Sequence, residues 1–158
     1  MSKWSINPTD FIDIITEDAE QHCKNIIFDA LQQVVVRSPV DKGSYRFSHI
    51  VSINAEDYST KQGNGDPEQE AVSTIASFKL GDTAYIQNNT PYGDVIEYGG
   101  YPDPVEKGTR IKGGGYIKKS AGGFSRQAPN GVYTLAFQYI ASKYKWETLK
   151  QSERFESW

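Results

Sequence analysis

From Pro8 onward the apolar residues recur at three- and four-residue spacing: Phe11, Ile14, Ile15, Ala19, Cys23, Ile26 and Ile27, followed by Ala30, Leu31 and Val34. This period places them on one stripe of an α-helix. Asp13, Glu17, Asp18, Glu20, Lys24 and Asp29 fall on the other face, which is therefore solvated and acidic. Asn7 is a capping residue type, Pro8 suits the first helical position, and Asp10 sets negative charge beside the exposed amides of the first turn. Three consecutive valines and then Ser38-Pro39 end the helix. The stretch SPVDKGSYRF that follows reads as a turn, with Gly43 free to take positive φ.

The period then changes to two. Tyr45, Phe47, His49, Val51 and Ile53 alternate with Arg46, Ser48, Ile50 and Ser52, which predicts a strand from Tyr45 to Asn54. Residues 55–71 are polar, Gly-rich and aperiodic, a flexible surface loop. Val72 to Leu80 and Thr83 to Asn88 read as two further strands joined at Gly81-Asp82, giving a small antiparallel meander that buries one face against the long helix. Thr90 as cap, Pro91 as first residue and Gly99 as terminator predict a short helix with Tyr92, Val95 and Ile96 inward. Residues 100–124, rich in Gly, Pro and Lys, carry no period and form a second long loop. Val132, Leu135, Ala136, Tyr139, Ile140 and Tyr144 make a closing helical stripe from Pro129 to about Tyr144. From about residue 147 to 158 the stripe is lost, so this tail is expected to fray or to meet a partner. These elements predict an α+β fold over residues 1–158, one domain with the long N-terminal helix and the C-terminal helix packed on a small antiparallel sheet.

Composition narrows the functional classes. A chain of 158 residues suits one compact domain. Only 37% of residues are hydrophobic but 13% are aromatic, with 10 Tyr and 3 Trp, so burial and surface recognition both lean on aromatic rings. A formal charge of −3 leaves no case for nucleic-acid binding through bulk electrostatics; any such contact must be local. Cys23 has no thiol partner, which excludes an intramolecular disulfide and a cysteine metal site and leaves a buried spectator. The first residues lack a signal-peptide pattern and no apolar run approaches a membrane span, so the chain is expected to stay in the cytosol where it is made.

Candidate chemistry is sparse. His22 and His49 have no metal-ligand spacing between them, and no metal or cofactor is expected. Asp94, Glu97, Asp103 and Glu106 could pair carboxylates for acid–base work, but no His, Lys or nucleophile motif accompanies them. The run GTRIKGGGYIKKSAGG lacks the Gly-Lys-Ser/Thr helix opening of a phosphate loop. It does concentrate charge: Lys107, Arg110, Lys112, Lys118, Lys119 and Arg126 stand against the single acid Glu106, an excess of five positive charges that could meet phosphate or an acidic protein surface.

Two stretches carry more information. Asn88-Asn89-Thr90-Pro91-Tyr92 leads to Glu97-Tyr98-Gly99, and Ser125-Arg126-Gln127-Ala128-Pro129-Asn130-Gly131 precedes the closing helix. Together with Pro39-Val40-Asp41 and Gly43, their order resembles the signature of the gene-ten-like family of tailed-bacteriophage neck proteins, also described as minor tail or tail-completion proteins. The likeness spans most of the chain; residues 100–124 stand as an insertion where family members pass almost directly between the two stretches.

The resemblance implies a non-enzymatic virion protein at the head–tail junction, located in the neck or tail and in the host cytoplasm during assembly. It implies copies of the chain in a ring, a hexamer or dodecamer, joined to portal, adaptor or head-closure proteins and to tail-tube or terminator proteins. DNA would pass through the channel without sequence-specific binding, and no membrane is involved. Tyr92, Glu97, Tyr98, Gly99, Arg126, Gln127 and Pro129 are the expected subunit-interface residues, and the loops around Asn64 and Gly114 are expected to gain order on docking. Arg110, Lys112, Lys118 and Lys119 are the expected contacts to phosphate or an acidic partner. The alternative within the class is a tail terminator capping the tail tube. Outside it stand a nucleic-acid-binding module built on the basic loop and an acid–base hydrolase built on Asp94 and Glu97.

Overall fold

A computed structural model of the chain describes residues 7–41, 43–61, 65–100, 109–117 and 123–156. In order, the elements are α1 (Pro8–Arg37), β1 (His49–Ile53), α2 (Pro67–Ala76), β2 (Ala84–Asn88), α3 (Gly93–Tyr98), β3 (Thr109–Arg110), β4 (Tyr116–Ile117) and α4 (Tyr133–Glu156). The fold is α+β, with two long helices and a small antiparallel sheet.

Helix α1 begins and ends where its caps dictate. Asn7 Oδ1 accepts from Thr9 N at 3.2 Å, and at the other end the Ser38 hydroxyl donates to Val34 O at 2.6 Å. Its burial is uneven, however. Ile27, Leu31, Val34 and Val35 enter the core, whereas every residue from 8 to 18 is exposed, Phe11, Ile14 and Ile15 included. The apolar stripe thus runs past the edge of the folded body.

The expected strand from Tyr45 is shorter in fact. Gly43 adopts φ 83°, Phe47 N donates to Gly43 O at 2.9 Å and Ser48 N to Tyr45 O at 3.1 Å, so this stretch is consumed by turns before β1 starts at His49. β1 pairs antiparallel with β2, His49 opposite Asn88 and Ile53 opposite Ala84.

The segment expected as a middle strand, Val72 to Leu80, is largely helix α2. Asp66 caps it through Glu68 N at 3.0 Å and Gln69 N at 3.3 Å, Pro67 occupies the first position, and Ala71 and Ile75 face the core one turn apart. The β-branched content of this stretch was outweighed by its start signal and by the burial that i, i+4 spacing allows. There is accordingly no meander: β1 and β2 form a two-stranded sheet with α2 in the connection, and the first expected loop gives up residues 67–71 to that helix.

Helix α4 starts at Tyr133, later than expected, and continues to Glu156, so the tail expected to fray is helical that far. It packs chiefly along α1. Asp29 on α1 receives Lys143 Nζ at 2.5 Å and the Tyr144 hydroxyl at 2.9 Å, which fixes the two helices side by side. One cluster holds Leu31, Val51, Ile75, Phe78, Ile96, Val132 and Ala136 together, so α1, α2, α3, α4 and the sheet share a core. Within the second long loop, β3 and β4 make a small hairpin, with Thr109 opposite Ile117 and Arg110 opposite Tyr116.

Candidate functional site at the junction of α3 and α4

The two motif stretches meet at Glu97. Helix α4 has no local side-chain cap, because Val132 stands where a Ser, Thr, Asp or Asn would serve. Glu97 on α3 supplies the missing acceptors. Its Oε2 accepts from Val132 N and Tyr133 N, both at 2.8 Å, and its Oε1 accepts from Thr134 N at 2.8 Å and the Thr134 hydroxyl at 2.7 Å. A carboxylate here also opposes the positive end of the α4 dipole. Burial alone would push the Glu97 carboxyl up, but the Thr134 hydroxyl and the three backbone N–H groups outweigh it and hold the group below the ordinary glutamate range.

Gly131 makes this approach possible. Its φ is 81°, and a Cβ there would lie 2.8 Å from the Glu97 carbonyl oxygen and 3.0 Å from Oε1. The residues before it are not the first turn of the helix. Ala128 N donates to Ser125 O at 3.1 Å and Gly131 N to Ala128 O at 3.3 Å, so Ser125 to Gly131 is two successive tight turns with Pro129 inside the second. The expectation that Pro129 sits early in the helix is corrected accordingly: its fixed φ shapes the turn that delivers Gly131 to Glu97. Gln127 reaches back to the other motif, accepting from Val40 N at 2.7 Å and donating to Val40 O at 2.9 Å.

The residues after β2 are similarly tied. Asn88 Nδ2 donates to Tyr45 O at 2.7 Å, and Asn89 Nδ2 donates to Asp57 O and Ser59 O at 2.7 and 2.8 Å. Thr90 does not cap α3 through its side chain; its carbonyl accepts from Gly93 N at 3.0 Å, while its hydroxyl oxygen is buried with no hydrogen-bond partner among the described residues. Gly99 ends α3 at φ 80°, and a Cβ there would stand 3.2 Å from the Phe124 ring. Gly100 N then donates to Gly123 O at 3.0 Å, so the inserted stretch leaves and returns at a single point. That closure explains how two stretches far apart in sequence keep a direct junction.

Beneath the junction lies a buried polar chain that sequence reading missed. His49 is 1% exposed, with Nε2 2.7 Å from the Ser38 hydroxyl and Nδ1 2.7 Å from the Tyr133 hydroxyl. Because Ser38 donates its proton to Val34 O, His49 Nε2 carries the proton toward Ser38 and Nδ1 accepts from Tyr133. Burial, assisted by the Lys61 charge, pushes the His49 pKa down to about 4, and burial pushes the Tyr45 and Tyr133 hydroxyls up. The chain is satisfied and neutral, a structural tie between α1, β1 and α4.

A groove of about 500 Å³ opens over this junction, lined by Tyr45, Asn88, Glu97, Tyr98, Tyr133 and Phe137 among others. Its rim is aromatic and uncovered: Tyr98 is 77% and Phe137 74% exposed. Of the expected interface residues, Glu97 and Gln127 are committed to internal hydrogen bonds and Gly99 to the Phe124 contact, whereas Tyr92, Tyr98, Arg126 and Pro129 remain at the surface. Asp94 is exposed and Glu97 already holds four donors, so the two do not form a free carboxylate pair. Lys112 is exposed in the β3–β4 turn and Arg110 lies in β3. Asn64, Asp103, Glu106, Lys107, Lys118 and Lys119 fall outside the described residues. His22 packs edge-on against Tyr144, and among the described residues no three of His, Cys, Asp and Glu converge as metal ligands. No helix among them is long and apolar enough to cross a membrane.

Comparison with family models, with curated proteins and with solved structures finds no match to this chain.

Proposed function

We propose that this chain is a structural protein of a tailed-bacteriophage virion, working at the head–tail junction as a neck or tail-completion protein. The observation that carries the reading is the bond of Glu97 to Val132, Tyr133 and Thr134, which joins the two stretches behind the family resemblance and leaves Tyr98 and Phe137 uncovered beside them. A rigid junction with an aromatic rim suits binding between preformed parts, because Tyr and Phe bring large contact area while the cap holds their backbone still. Copies of the chain form a ring around the DNA path, with portal, adaptor or head-closure proteins on one side and tail-tube or terminator proteins on the other. The formal charge of −3 favours passage of DNA past the ring without lasting phosphate contacts. The work is assembly, with no chemical step.

The test is electron microscopy of lysates from the parent phage carrying a nonsense mutation in this gene. DNA-filled heads and finished tails accumulating unjoined support the neck reading. Abnormally long tails assign the chain to tail termination instead, and normal numbers of infectious particles overturn the virion reading.

A further inference from the structure

Two elements of this protein expose apolar side chains that the described residues leave uncovered, and they carry opposite charge. The first is the N-terminal overhang of α1. Phe11, Ile12, Ile14 and Ile15 lie on its surface, Ile12 at 62% exposure. Asp10, Asp13 and Glu17 follow each other at three- and four-residue spacing along one edge of that stripe, and no Lys or Arg occurs between Pro8 and Cys23. Eleven exposed helical residues extend about 16 Å at the rise of an α-helix.

The second element is the β3–β4 hairpin. Ile111, Tyr116 and Ile117 are all exposed, Tyr116 at 63%. The hairpin is closed by Ile111 N donating to Gly115 O at 3.1 Å and Gly114 N donating to Ile111 O at 3.2 Å. Arg110 pairs with Tyr116 in the ladder, Lys112 stands exposed in the turn, and residues 109–117 include no acid.

From these surfaces we infer that the acidic overhang of α1 in one copy docks on the basic β3–β4 hairpin of the next. Charge decides the pairing. Overhang against overhang would set two acidic rows face to face, and hairpin against hairpin would oppose two basic ones, whereas the cross pairing matches both sign and apolar content. Because the two surfaces differ, the contact is heterologous and propagates head to tail, closing into a ring if the rotation between copies allows. The inference deepens the ring reading above and rests on it for closure, but the contact itself is measurable on the purified chain.

The experiment is charge exchange followed by sedimentation at low and high salt. One variant carries Asp13→Lys with Glu17→Lys, a second carries Arg110→Glu with Lys112→Glu, and a third carries all four. Asp13, Glu17 and Lys112 are exposed, and circular dichroism checks that each variant folds. The wild-type chain is expected to self-associate, more weakly as salt rises. Each two-site variant alone should associate at least about tenfold more weakly, because one of its surfaces now repels the other. An equimolar mixture of the two should recover association, and so should the four-site variant. A wild-type chain monomeric at every concentration and salt, a two-site variant that associates like wild type, or a four-site variant that does not recover overturns the contact and leaves the lysate test of the neck reading intact. Duplex DNA added to a monomeric wild-type chain, bound at low salt and released by the Arg110→Glu, Lys112→Glu variant, assigns the hairpin to phosphate and overturns it as well.

Discussion

Gln127 holds Val40 at both ends of its backbone, accepting from the amide at 2.7 Å and donating to the carbonyl at 2.9 Å, across 87 residues of sequence. The side-chain amide does here what a neighbouring strand would do, at a point where the chain has just left α1 and has no strand to meet. Gln127→Ala should therefore cost about 1–2 kcal/mol, the net of two hydrogen bonds. Gln127→Glu should cost at least as much, since the carboxylate cannot donate and faces the Val40 carbonyl. Urea denaturation of the three proteins checks the order, and faster amide exchange at Val40 in both variants locates the loss.

Glu97 caps a helix from another element, so its removal should loosen the α3–α4 junction and the start of α4 together. Glu97→Ala is expected to destabilise by about 2 kcal/mol, a lost charged cap with orphaned amides, which corresponds to about 4–8 °C in Tm for a chain of this size. Glu97→Gln should fall between, because it keeps an acceptor for one pair of donors and turns an amide toward the other. Thermal melts at neutral pH rank the three.

The depressed pKa of Glu97 also fixes the direction of a pH effect. A carboxyl whose folded pKa lies below its unfolded one adds stability above the unfolded value, and that stability is lost as pH falls through the folded value. The wild-type chain should thus lose stability on acidification below about pH 4.3, the ordinary glutamate pKa, and Glu97→Gln should lose less over the same interval. His49 acts in the same direction from a higher pH. Its folded pKa of about 4 lies under the ordinary 6.5, so its contribution is complete above pH 6.5 and declines toward pH 4 as the unfolded state takes up the proton. An NMR titration should find the His49 ring neutral at pH 5.5; a midpoint near 6.5 would contradict the Ser38–His49–Tyr133 chain.

Two glycines with similar backbone angles separate strain from contact. Gly81 has φ 91° with open space where a Cβ would go, whereas Gly131 has φ 81° with Glu97 in the way. Gly81→Ala should cost about 1–2 kcal/mol from the left-handed conformation alone. Gly131→Ala should cost clearly more, because the methyl group must displace the Glu97 backbone and carboxylate. Equal losses in denaturant melts would mean that the close approach of Glu97 to Gly131 has no energetic weight.

Much of the local structure was written in short-range signals. Asn7-Pro8 and Ser38-Pro39 bound α1, the alternation from His49 to Ile53 marks β1, and the apolar spacing of Val132, Ala136 and Ile140 marks α4. The start of α2 was missed: residues 55–71 read as an aperiodic loop and the β-branched residues after them point to a strand, because local propensity is a weak guide. The candidate site was less legible. The motif residues name Glu97 and Gln127 yet give no sign that both are spent on internal bonds, since their partners lie 35 to 87 residues away. Phe137 belongs to the junction only because α3 lies alongside.

By itself, then, the sequence determined where α1 and β2 begin, the absence of an intramolecular disulfide, and the uneven distribution of charge, because capping, periodicity and composition act over a few residues at a time. Only the tertiary structure decided which parts of the apolar stripes are covered, that α4 is capped from α3, that the inserted stretch closes at Gly100 and Gly123, and that the first turns of α1 stand uncovered. Those outcomes depend on which distant surfaces come together, and burial and hydrogen bonding between elements are properties of the packed chain that no local window contains.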